Sequence, residues 1–166
     1  MQDAIGIIQL PPDSWQVYRE LRLEALQNDP QAFGGSYEEE INLTPTNWQN
    51  RLKSMWFAWT DNQIIGMIGL VQNKEMGIKH YAFLVSLWVK PAYRRQGIGA
   101  LLIKHVQKDA PTKQLRKILL HVTKTQPGAL RLYETVGFKK VGTLKENLFK
   151  DNRYLDQDLM EWHVSQ

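Results

Sequence analysis

Residues 94–100 read Arg94-Arg95-Gln96-Gly97-Ile98-Gly99-Ala100, and their types and spacing suit the binding of a polyanion. Before them lies an apolar, β-rich run, Phe83-Leu84-Val85-Ser86-Leu87-Trp88-Val89, and after them a helical pattern of Ile98, Leu101, Leu102 and Val106. Pro91 breaks the strand. Two arginines and two glycines therefore fall where a strand turns into a helix N-terminus. At such a place the first backbone N–H groups lack helical acceptors and the helix dipole is positive. Glycine lets the backbone come close to a ligand, because no Cβ intervenes. The segment predicts a pyrophosphate cradle.

Other glycine-rich phosphate motifs do not fit. A dinucleotide fingerprint needs a third glycine where Leu102 stands, and an acidic residue about 20 positions later, where Leu119 and Leu120 stand. A P-loop needs Gly-Lys-Ser/Thr, which the chain lacks. Tight strand-to-helix packing would explain the glycines but not the arginines beside them.

A second constellation is Gln126-Pro127-Gly128-Ala129-Leu130-Arg131-Leu132-Tyr133-Glu134-Thr135-Val136-Gly137-Phe138. Ala129, Leu132, Tyr133 and Val136 share one helical face, so Tyr133 points inward. Gly137 ends the helix and Phe138 opens the next strand. An inward tyrosine can serve core packing, and its hydroxyl can also serve as a proton donor. His80 and His121 have intrinsic pKa values suited to a base. They can equally be surface or satisfied histidines, as can His105 and His163. The run Glu38-Glu39-Glu40 could attract a cationic amine or simply be a solvated helix start. Trp48, Trp56, Trp59 and Trp88 could line an apolar pocket but sit at spacings that suit a core. The histidines lack paired ligand spacing and the acids lack a Ca²⁺ loop pattern, so no metal is expected.

The elements that must position these groups follow from periodicity and turn residues. Residues 4–10 predict a first strand, ended by Pro11-Pro12. Asp13 or Ser14 can cap a helix carrying Tyr18, Leu21 and Ala25, stopped at Asn28-Asp29-Pro30. Thr44-Pro45 starts a short helix with Trp48 and Leu52 inward. Strands are expected at 55–60, 64–72 and 78–89, joined by short turns as an antiparallel meander. Then come helix 97–109, strand 115–123, helix 127–136, and strands 138–146 and 153–164. A strand, crossover helix and strand make two parallel strands. The expected α/β (α+β) fold is a mixed sheet of about seven strands, an antiparallel N-terminal meander with a central parallel pair and helices on both faces.

The chain has 166 residues and no repeat or linker, so residues 1–166 are expected to form one domain. No apolar run approaches the roughly 20 residues that cross a bilayer, and Met1-Gln2-Asp3-Ala4 does not open like a secretory signal. A cytoplasmic location is the expectation. With no cysteine in the chain, thiolate nucleophiles and disulfides are excluded. The net charge of +4 is modest, and Lys113, Arg116, Lys117, Lys139 and Lys140 suit a solvated basic surface.

Together, the two constellations resemble the GNAT superfamily of acetyl-CoA-dependent N-acetyltransferases. Arg94-Arg95-Gln96-Gly97-Ile98-Gly99 resembles that family's Arg/Gln-x-x-Gly-x-Gly/Ala loop. Ala129, Tyr133, Gly137 and Phe138 are in register with its second signature, and Asp156 and Met160 with its usual C-terminal strand. The resemblance is strong over residues 83–138. It implies a splayed sheet with acetyl-CoA between the strand ending at Val89 and strand 115–123. The backbone of Leu87, Trp88 and Val89 would pair with the pantetheine arm. The loop opened by Arg94 would hold the pyrophosphate through the amides of Arg95, Gln96, Gly97, Ile98, Gly99 and Ala100. Tyr133 would protonate the departing CoA thiolate while a primary amine attacks the thioester directly. Gln126 stands where the family often has a cofactor-contacting asparagine. Val85-Ser86 stand where many members place an acidic base. Members of this class often dimerise, so a homodimer is an expected state. Two other functions compete with the transferase: a non-catalytic acyl-CoA-binding or sensing module, and a basic nucleic-acid-binding protein.

Overall fold

The structure, a computed structural model, describes residues 4–165. Seven strands, β1 (Gly6–Ile8), β2 (Met55–Thr60), β3 (Gln63–Gln72), β4 (Tyr81–Val89), β5 (Lys117–Thr123), β6 (Lys139–Lys150) and β7 (Arg153–His163), form one sheet in the order β1-β2-β3-β4-β5-β7-β6. The helices are α1 (Trp15–Asn28), α2 (Tyr37–Glu40), α3 (Pro45–Leu52), α4 (Ile98–Asp109) and α5 (Pro127–Thr135). β4 and β5 form the parallel pair, and β1–β2, β2–β3, β5–β7 and β6–β7 are antiparallel. The mixed sheet expected from the sequence is the one found.

Most differences from the expected elements are local. β1 spans three residues rather than seven. β4 starts at Tyr81 because residues 78–80 turn, with Ile78 N donating to Glu75 O at 3.1 Å. β6 continues past residue 146 through a register shift between Leu144 and Leu148, where Glu146 takes φ +50°. In the sheet, β7 rather than β6 lies beside β5. β7 turns Asp158 and Met160 inward, whereas β6 (KKVGTLKENLFK) is polar and largely exposed. A polar strand suits an edge, where its unpaired groups meet water. Asp151 and Asn152, both at positive φ, make the tight turn that lets β7 fold back.

The chain gathers into two compact units. The first runs to Gly69 and adds Ser86–Leu102. Its core joins Tyr18, Leu21 and Leu26 of α1 to Trp48 of α3, Phe57 of β2 and Trp88 of β4. Tyr18 meets Trp48 and Phe57 edge-on, at centroid distances of 5.4 and 5.8 Å. α3 is held at its start by a reciprocal capping box between Thr44 and Asn47. The second unit comprises Leu70–Val85 and the chain from Ile103 onward. Ile103, Val106, Ile118, Leu120 and Met160 are almost completely buried there. Among the described residues, no helix is long and apolar enough to cross a membrane.

Candidate active site

The strand–turn–helix segment 87–100 lies in the first unit. The parallel ladder covers Tyr81↔Lys117 to Phe83↔Leu119, and β4 runs on beyond it through Leu87, Trp88 and Val89. Lys90 N then donates to Ile65 O at 2.8 Å, and Pro91–Tyr93 form a single 3-10 turn. Gly66 lets the end of β4 approach, since a Cβ there would stand 3.0 Å from the Trp88 carbonyl oxygen. Arg95 takes φ +60° and Gly97 takes φ +80°, so the loop reverses through two left-handed residues before α4 begins at Ile98. Leu101 N donates to Gly97 O at 3.0 Å, which makes Gly97 the residue at the helix mouth. A Cβ at Gly97 would meet nothing within 4 Å, so there is room at that position. The amides of the first helical turn, starting at Ile98, have no acceptor within the helix.

The two arginines of the loop differ. Arg94 donates through Nε to Val89 O at 2.9 Å and through its terminal nitrogens to the Asp29 carboxylate. Trp88 Nε1 donates to the same carboxylate at 2.7 Å. Arg95, like Gln96 and Gly97, is exposed.

Tyr133, on α5, and Gln126, its N-cap, lie in the second unit. Gln126 caps the helix through its backbone, its carbonyl accepting from Leu130 N at 3.2 Å. At the other end, Phe138 N donates to Tyr133 O (3.0 Å) and Gly137 N to Glu134 O (3.1 Å), with Gly137 at φ +97°. That pair of bonds is a Schellman motif, and its usual apolar contact is made by Tyr133 and Phe138, 5.9 Å apart. The Tyr-x-x-x-Gly-Phe spacing is thus a helix stop as well as a placement for tyrosine. Tyr133 is buried, and burial pushes its hydroxyl pKa up to about 12. It holds its proton throughout the neutral range, so the hydroxyl is present in its proton-bearing form, though as a weaker acid than a solvated tyrosine.

Of the remaining candidates, Trp48, Trp56 and Trp88 are core residues, whereas Trp59 is 39% exposed. His121 lies on β5 with its ring 5.3 Å from that of Phe83, and burial lowers its pKa, so it is neutral at pH 7. Several cations of the basic cluster have carboxylate partners: Lys117 with Glu161, Lys113 with Asp109 and Lys140 with Asp158.

Two features went unread in the sequence. Glu40 is buried and receives Nε and Nη2 of Arg22 at 2.8 and 2.7 Å, with Arg51 at 3.0 Å. It is therefore committed inside the protein and is not a lure for a cationic substrate. Asp29, which reads only as a helix stop, fastens Trp88 and Arg94. A carboxylate preceding a proline and a Gly34-Gly35 pair preceding the acidic run are the only hints in the sequence.

The family model described as the acetyltransferase (GNAT) family matches residues 15–138. The chain belongs to the GNAT family of acetyltransferases. Human N-acetyltransferase 8 is 28% identical over 102 residues, which are 61% of this chain and 45% of that protein. The chain spans about half the length of the first curated relatives it matches. The GNAT fold recurs in an acetyltransferase from Streptococcus pneumoniae at a TM-score of 0.84, with 20% identity and coverage of 98% and 100% of the two chains. It recurs also in yncA of Salmonella typhimurium, a structure with its cofactor acetyl-CoA, at a TM-score of 0.83, with 13% identity and coverage of 99% and 96%.

Proposed function

We propose that the protein transfers an acetyl group from acetyl-CoA to a primary amine by direct attack in a ternary complex. The observation that carries this reading is the 94–100 loop: α4 starts directly after Gly97, at whose Cβ position there is room, with exposed Arg95 beside it and a strand able to lend backbone groups before it. Family membership and the acetyl-CoA carried by the yncA structure support the choice of donor. In this reading the amides of Arg95 through Ala100 hold the pyrophosphate, and the backbone of Leu87, Trp88 and Val89 pairs with pantetheine. Gln126, the N-cap of α5, is taken as a further donor contact. The neutral amine nitrogen attacks the thioester carbonyl carbon, the carbon–sulfur bond breaks, and Tyr133 gives its proton to the departing thiolate; the proton lost by the amine nitrogen passes to water, from which the Tyr133 oxygen is reprotonated. The absence of cysteine agrees with direct transfer, since no thiol of this chain can carry the acetyl group.

The same absence makes the test clean, because a thiol reagent will report only released CoA. The protein is incubated with acetyl-CoA and a panel of polyamines, amino acids and peptides. Thiol release that requires one of the amines is the expected result. Acetyl-CoA binding without transfer to any amine would make the chain a binding module. No binding by the folded protein would end the donor assignment.

A further inference from the structure

Asp29 sits just past the end of α1 with its backbone fixed on both sides. Its N–H donates to Ala25 O at 2.9 Å, and its carbonyl accepts from Ala32 N at 3.0 Å. Its carboxylate takes Trp88 Nε1 from the end of β4 and the Arg94 guanidinium from beyond the Pro91–Tyr93 turn. Arg94 Nε also bonds Val89 O, so the guanidinium spans the turn. The segment from Trp88 to Arg94 is closed on itself through one carboxylate, contributed by a residue 65 positions away from Arg94. The next residue, Arg95, holds φ +60°, a conformation that a non-glycine residue does not adopt without restraint.

We propose that Asp29 is a positioning residue for donor binding: by fastening Trp88 and Arg94 it holds the 94–100 loop in the form that presents its amides to the pyrophosphate. This rests on the donor site proposed above. Burial pushes the Asp29 carboxyl up, but the bonds from Arg94 and Trp88 and the Arg94 charge outweigh it and hold the group below its ordinary value. It is thus ionised at neutral pH, and its charge balances that of Arg94. The phosphate-facing charge then falls to Arg95 and the amides, with Arg94 serving the loop's shape. Both partners are partly exposed, with side chains 31% and 41% accessible. Such a pair adds little to global stability. Its effect belongs in loop order and donor affinity.

The test compares Asp29→Asn, Arg94→Gln and the double variant with the unmodified protein. Asp29→Asn keeps the shape of the side chain and an acceptor oxygen, so it should fold with a similar melting temperature. Backbone amide exchange at residues 95–100 is measured without ligand, alongside the Michaelis constants for acetyl-CoA and amine. Expected are faster exchange at 95–100, a five- to tenfold higher KM for acetyl-CoA and a kcat within about twofold. The double variant should lose clearly less than the sum of the two single losses, since the Asp29–Arg94 contact is common to both. Unchanged exchange with an unchanged donor KM, or additive losses in the double variant, would overturn the proposal. Faster exchange in a protein that never binds acetyl-CoA would uphold the role of Asp29 in loop order and remove the donor reading instead.

Discussion

Arg22 donates through Nη1 to Ser86 Oγ at 3.0 Å, joining the middle of α1 to the point in β4 where φ is +58°. A left-handed residue inside a strand costs about 1–2 kcal/mol and persists only where its surroundings over-determine it. Here the surroundings are a guanidinium that is itself fixed. Arg22 makes two bonds to Glu40 and lies over the Phe33 ring at 4.5 Å. The kink falls just before Leu87, Trp88 and Val89, the residues assigned to the pantetheine arm. A buried ion pair therefore shapes the strand at the proposed donor site.

Removing Arg22 should be costly. Arg22→Leu leaves Glu40 buried with only the half-exposed Arg51 beside it. Breaking a buried pair from one side costs about 3–5 kcal/mol, and Arg51 should keep this case near the lower end. Arg22→Met combined with Glu40→Leu should recover much of the loss, because no charge is then stranded. Urea denaturation of the three proteins checks this. A double variant as unstable as Arg22→Leu would mean that the Ser86 contact, rather than the stranded charge, dominates.

Glu40 also sets an acid limit on stability. Burial raises its pKa, but the bonds and charges of Arg22 and Arg51 outweigh burial and leave it below the ordinary glutamate value. The unfolded chain therefore takes up a proton at Glu40 before the folded one does. Its contribution is complete above about pH 4.5 and is lost as pH falls through the folded pKa. Unfolding free energy measured from pH 7 down to pH 3 should fall less steeply for Glu40→Gln than for the unmodified protein. Parallel acid limbs would refute the assignment.

Gly35 is the small residue that this pair requires. A Cβ on it would overlap Glu40 Oε1, and Glu40 cannot swing away without leaving Arg22. Gly35→Ala should cost about 1–3 kcal/mol, as overpacking in a fixed core does. Gly6→Ala, where a Cβ meets nothing within 4 Å, serves as the control and should be far milder. Equal melting temperatures for the two variants would show that the ion pair can give way.

The parts of the fold and site set by neighbours in sequence were legible. The 94–100 loop, the stop at Gly137-Phe138 and the parallel pairing across α4 follow from local spacing, and each is found where expected. The pairings that shape the site are not local. Arg22 and Glu40 are 18 residues apart, and Asp29 and Arg94 are 65 apart. A charged residue looks the same in a sequence whether water or a guanidinium solvates it. Glu40 therefore reads as one more acid in a polar run, and Asp29 as a helix stop. The place of β7 inside the sheet was hidden for a related reason. Both closing strands alternate weakly, and only their competition for the edge of β5 decides which is buried.

Tyr133 carries the most direct test of the proposed chemistry. Its backbone carbonyl and ring serve the Schellman cap, and neither role needs the hydroxyl. Tyr133→Phe should therefore keep the melting temperature and the contact with Phe138 while removing the only proton the side chain can give. If that proton goes to the CoA thiolate, kcat should fall by about 100-fold or more, the usual scale of a lost general acid. The KM for acetyl-CoA should stay within about twofold, since the proposed donor contacts are the loop amides and not the hydroxyl. Because burial lifts the hydroxyl pKa to about 12, no loss of activity from its ionisation is expected on the alkaline side below pH 10. An unchanged kcat, measured where the chemical step limits turnover, would leave Tyr133 with the cap alone and send the search for the acid elsewhere.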